Sequence, residues 1–162
     1  MPLRGDEVDA NLPFEETELL FRRVARDGVD DTGTLLPSEL NTMSFDKTID
    51  GAPSFLRSAF SIPEDVLHTA CADEKDVSNW LAYEISVGAL PSPIVGKDNR
   101  SFDVFPVHRP LTQCGAHSVI ATCHTNDSTR AYTLPPRSVR NDLRARIATR
   151  LRPARRTAVT PS

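Results

Sequence analysis

The chain lacks any run approaching the roughly 20 consecutive apolar residues needed to span a bilayer. Its opening, MPLRGDEVDANLP, holds no apolar stretch behind a basic region. The expectation is no membrane partner and a cytoplasmic place of work. Cysteine is scarce. Three residues, an odd number, suit thiols in a reducing compartment better than a disulfide framework. Glycine is scarce as well, seven against thirteen prolines, which argues against long uninterrupted helices and for short elements joined by stiff turns. No internal repeat or long low-complexity linker is present.

What remains is enough for one modest core: 162 residues, of which 39% are hydrophobic. Charge is divided along the chain. Residues 1–80 carry seventeen acids and seven Lys/Arg, and residues 81–162 carry five acids and twelve Lys/Arg, within a net charge of −3. Such a split suits two kinds of partner, or two halves facing each other in one fold, and the second is the simpler reading.

Residues 1–13 read as an acidic, disordered lead-in and residues 153–162 as a polar, flexible tail. Between them, residues 14–152 are expected to form a single α+β domain with short strands and a C-terminal amphipathic helix. FEETELLFRRV, from Phe14 to Val24, leans to a strand. Pro37 and Ser38 can open a short helix. Ser54 is expected to cap a turn of helix through Phe55 to Phe60, and Ser61, Pro63 and Glu64 a helix from about Pro63 to Cys71. Leu81, Tyr83, Ile85 and Val87 alternate as a strand should, and 102–107 and 118–123 are strand material. Val139, Leu143, Ile147 and Leu151 recur every four residues, the buried stripe of a helix over 138–151.

Chemistry concentrates in HRPLTQCGAHSVIATCH, His108 to His124, with three of four histidines and two of three cysteines. Cys114-x-x-His117 has the close spacing of two ligands of one zinc knuckle, with His108 and His124 (or Cys123) able to complete the set. Alternatively, Cys114 is a nucleophile activated by His108 or His117. The plain alternative has Cys123 packing as a small apolar side chain and the histidines anchoring turns and strand ends. Ser118 beside His117 makes no triad by itself, because a serine nucleophile needs a base delivered by folding. Gly96-Lys97 fails as a phosphate loop, with Pro91 and Asp98 at required Gly and Ser/Thr positions. Asp27 to Glu39 resembles a calcium loop whose first ligand would be Gly28, which has no side-chain oxygen.

In the last helix Arg140, Arg144, Arg146 and Arg150 stand against a single Asp142. They are candidates for binding a protein partner or nucleic acid, although no aromatic follows Tyr132 for base stacking.

Leu20-Phe21-Arg22-Arg23-Val24, Asp50-Gly51 followed by Ser54-Phe55-Leu56-Arg57, and Ala116-His117-Ser118-Val119-Ile120 together resemble a group of small uncharacterised bacterial proteins. Their pattern has an R-R-V first strand, a D-G-x-S-like turn and a late A-H-x-x-V/I strand. The chain departs from it where Ala52-Pro53 widens the turn and where Thr112 to Gly115 precede the histidine. The resemblance implies no activity but raises Arg57 and His117 among candidate site residues.

No catalytic constellation is complete in the sequence. The leading expectation is a non-enzymatic interaction module or accessory subunit of a bacterial system, with a protein partner. The alternative is a small hydrolase or transferase using His117 with Cys114, His108 or Arg57, with or without zinc.

Overall fold

The computed structural model describes residues 3–68 and 77–154. In chain order the elements are β1 (Leu19–Ala25), α1 (Pro37–Leu40), β2 (Ser54–Arg57), α2 (Asp65–His68), β3 (Trp80–Ser86), β4 (Ile94–Val95), β5 (Ser101–His108), β6 (His117–His124), α3 (Arg137–Arg150) and β7 (Arg152–Pro153). All seven strands join one sheet in the order β4-β5-β6-β2-β1-β3-β7. Every neighbouring pair is antiparallel.

The α+β expectation is therefore corrected: the protein is a curled antiparallel sheet, a half-barrel, with three α-helices among the described residues. The decisive difference is at residues 54–57, expected as a capped turn of helix and found as β2, a central strand. Phe55, Leu56 and Arg57 are all buried. A four-residue run with three successive buried residues shows neither the period of a half-buried strand nor that of a helix, so its neighbours β1 and β6 decide its state. The expected helix from about Pro63 to Cys71 starts two residues later, as α2 from Asp65 after a turn at Pro63 and Glu64, and residues 69–71 of its span lie outside the described residues.

One face of the sheet carries the main core. Val139, Leu143, Ile147 and Leu151 lie buried with Leu20, Val24, Phe55, Tyr83, Ile85, Phe102 and Ile120. The four-residue stripe thus docks α3 as its spacing predicts, although the helix starts after Pro136 without a side-chain cap. The opposite face carries a smaller cluster of Phe21, Leu56, Val66, Cys114 and Ala116. Cover on both faces leaves β6 buried at every position from Ser118 to Cys123.

Pairing sets which residues share a face. Phe21, Leu56 and His117 stand in one cross-strand row, so His117 projects to the side of the smaller cluster, while Ser118 and its partner His108 belong to the other side. The β1–β2 ladder contains only Leu20↔Arg57 and Phe21↔Leu56, whereas β1 runs on to Ala25 beside β3. Beyond Phe21 the strands β1 and β2 part.

Candidate functional site

A cavity of about 400 Å³ opens where β1 and β2 part. Phe21, Leu56, Val66, Trp80 and Leu111 give it apolar walls, and Arg22, Arg23, Glu39, Thr42, Ser54 and His117 supply polar groups. Arg22 bridges the gap. Its guanidinium donates to the Ser54 carbonyl at 3.0 Å and to the Thr42 hydroxyl at 3.1 Å, in place of the ladder bonds that the splayed strands do not make. Burial lowers its pKa to about 10, with Glu39 opposing and Arg23 adding to the shift, so it stays charged at neutral pH. Glu39 is buried, and its carboxylate accepts from the Ala25 backbone N–H at 3.3 Å. Arg23 lies over the Trp80 ring at 3.8 Å.

On the β2–β6 side of the cavity, Ser54 Oγ and His117 Nε2 are 3.1 Å apart. His117 Nδ1 is 2.9 Å from the Arg109 carbonyl. A carbonyl can only accept, so Nδ1 carries the proton and Nε2 presents its lone pair to the serine hydroxyl. Burial pushes the imidazole below its ordinary pKa; the Arg109 and His108 charges add to this, while the Arg109 carbonyl and Asp50 oppose it. Arg109 is itself ion-paired with Asp50. The arrangement is a hydroxyl, a neutral base and a group that orients the base, the minimal geometry of an activated nucleophile.

The other sequence candidates take different places. Cys114 is fully buried in the smaller cluster, with its backbone in a turn with Leu111. A thiol sealed from solvent is not positioned as a nucleophile. His108 donates from Nε2 to the Gly115 carbonyl at 2.7 Å and accepts at Nδ1 from Arg57 at 3.3 Å. His124 sits at the far end of β6, tilted against the Phe102 ring at 4.9 Å. Seven residue steps of extended chain separate it from His117, roughly 23 Å. The expected zinc set of His108, Cys114, His117 and His124 is thus not brought together. Among the described residues no group of three His, Cys, Asp or Glu side chains is placed to hold a metal.

Arg57, the other catalytic candidate, is fully buried and already satisfied. It forms a two-bond pair with Glu18 at 2.8 Å each, donates to the Leu12 and Pro13 carbonyls, and meets His108. Phe14 and Phe60 cover its guanidinium at 3.8 and 5.2 Å. All five N–H groups have partners, which leaves none to meet a substrate. Its work is to tie residues 12–18 onto the sheet.

The remaining motifs resolve similarly. In the calcium-like loop, Asp30 accepts from the Thr32 and Thr34 backbone and the Thr32 hydroxyl, closing the turn on itself, while Glu39 points to Ala25. Of the partner-binding arginines on α3, Arg144 donates to the Met43 carbonyl, Arg150 to the Ala89 carbonyl, and Arg146 pairs with Asp142. Arg140 lies half-buried on the same helix.

Compared with protein-family models, with curated proteins and with solved structures, the chain matches none. Among the described residues no helix is long and apolar enough to cross a membrane. The site therefore rests on its own geometry. Of the residues that line the cavity, the sequence analysis named His117 as a candidate and did not name Ser54, Arg22 or Trp80. Ser54 stands 63 residues from its partner His117, and nothing in the local pattern links them.

Proposed function

We propose that the protein is an interaction module that holds a small organic molecule with an apolar body in the cavity between β1 and β2. The observation that carries this reading is the cavity of about 400 Å³, within the size range of small-molecule sites. Apolar walls with a few fixed polar groups are what such sites use, the walls for affinity and the polar groups for orientation. Arg22 and His117 are held by bonds to their neighbours, so binding costs little ordering of these side chains. The reading keeps the expected interaction module but moves its contact from the α3 arginines to the cavity, and it replaces a protein partner with a small ligand. Binding of nucleic acid is disfavoured because Arg144, Arg146 and Arg150 are engaged within the fold.

Trp80 is the chain's single tryptophan and lines the cavity, so its fluorescence reports occupancy. Titration with anilinonaphthalene sulfonate is expected to change that emission saturably with one dye per chain. Ala25→Phe, which places a ring in the cavity, is expected to abolish the change at an unaltered melting temperature. A wild-type chain that leaves the dye free, or an Ala25→Phe chain that binds it equally well, would overturn the reading.

A further inference from the structure

The cavity holds more chemistry than retention of a ligand needs. We propose that Ser54 and His117 form a nucleophile–base pair that takes an acyl group from an activated ester bound in the cavity, a proposal that rests on the binding reading above. Four features carry it. Ser54 Oγ and His117 Nε2 lie 3.1 Å apart, within proton-transfer reach. The Arg109 carbonyl holds the proton on Nδ1, so the tautomer present is the one whose Nε2 can accept. Ser54 is exposed and both side chains line the cavity, so an ester carbonyl can reach the hydroxyl. Finally, Arg22 fixes the Ser54 carbonyl from the other side of the gap, which makes Arg22 a positioning residue for the nucleophile.

In the first step Ser54 Oγ bonds to the ester carbonyl carbon while its proton passes to His117 Nε2. The bond from that carbon to the leaving oxygen then breaks; the leaving oxygen either takes the proton from His117 or departs as a phenolate while His117 gives that proton to solvent water, and in both cases the imidazole is neutral again. In the second step water, deprotonated by His117, attacks the acyl-serine carbon. Ser54 leaves with the proton and the carboxylic acid is released. No oxidant or metal is required. The charged groups around His117 are Arg109 and Asp50 at its Nδ1 side and Arg22 and Glu39 on the cavity wall, with His108 acting on it from the opposite face of the sheet. Burial first, with the Arg109 charge adding to it, holds the imidazole below its ordinary pKa, so it is a neutral base at neutral pH.

The test uses the full chain with 4-nitrophenyl acetate. A burst of nitrophenolate of at most one equivalent is expected, with the acetyl group located on Ser54 by peptide mass mapping. Ser54→Ala is expected to abolish that acetylation while still binding anilinonaphthalene sulfonate. His117→Gln is expected to slow it about 100-fold, and His124→Gln, outside the cavity, to leave it unchanged. Should His117→Gln fold poorly, the wild-type profile decides: the acetylation rate should rise with pH through a value below about 6.5. Acetyl groups found only on other residues, or a rate indifferent to both His117 and pH in that range, would overturn the pair. A chain that binds the dye without acetylation sinks only this proposal; a chain that binds no dye sinks the cavity reading first.

Discussion

At the scale of single residues, Arg57 and His117 separate what holds the fold from what can act on a ligand. Arg57 spends every donor internally, so replacing it strands Glu18 as a buried carboxylate and releases the Leu12 and Pro13 carbonyls. Arg57→Met should cost about 3 to 5 kcal/mol of stability, measured by urea unfolding, and Arg57→Lys should recover only part of it because an ammonium cannot reproduce the two-bond fork. His117 behaves differently. Its pKa in the folded chain lies below the ordinary value, so the unfolded chain takes up the proton first as pH falls. Its contribution is fully present above about pH 6.5 and is lost as pH drops from there toward the lowered folded value. The wild-type melting temperature should therefore fall on acidification in that window, and His117→Gln should flatten that part of the profile.

At the scale of elements, α3 and the β1–β2 junction have opposite roles. The α3 stripe is packing: Leu143 is fully buried in the main core, and Leu143→Ala should cost roughly 2 to 5 kcal/mol. Arg146 and Asp142 form an exposed pair, with 53% and 43% of their side chains accessible, so Arg146→Ala should change stability by under about 1 kcal/mol. Thermal or chemical denaturation of both variants compares the two directly, and equal losses would mean that the helix docks through its charged face. At the β1–β2 junction strand pairing gives way to the cavity. Two residue pairs hold the strands and Arg22 spans the remainder.

At the scale of the whole molecule, the acidic and basic halves interleave within one sheet, since β2 and β1 of the first half lie between β6 and β3. Arg109–Asp50 is an ion pair that joins the two halves. Because β6, β2 and β1 are central and covered on both faces, their amides should exchange slowest with solvent. Those of the two-residue edge strands β4 and β7 should exchange fastest among the strands. Hydrogen exchange read by mass spectrometry checks this order, and fast exchange in β6 would contradict the sheet.

Residue patterns long enough to show a period were legible without the fold. The four-residue spacing from Val139 to Leu151 marks α3 and its buried face, and the alternation around Tyr83 marks β3. The sequence also singles out His117 as a titratable group in a segment rich in strand formers. Tertiary structure alone decided the rest. β2 is too short and too buried to have a period of its own, so its state came from β1 and β6. The pairing of His117 with Ser54 depends on the register Leu56↔His117, which is a relation between distant strands and leaves no mark in local residue order. For the same reason the clustered His and Cys residues between 108 and 124 did not become one site: alternation along β6 and the length of the strand send them to different faces and opposite ends.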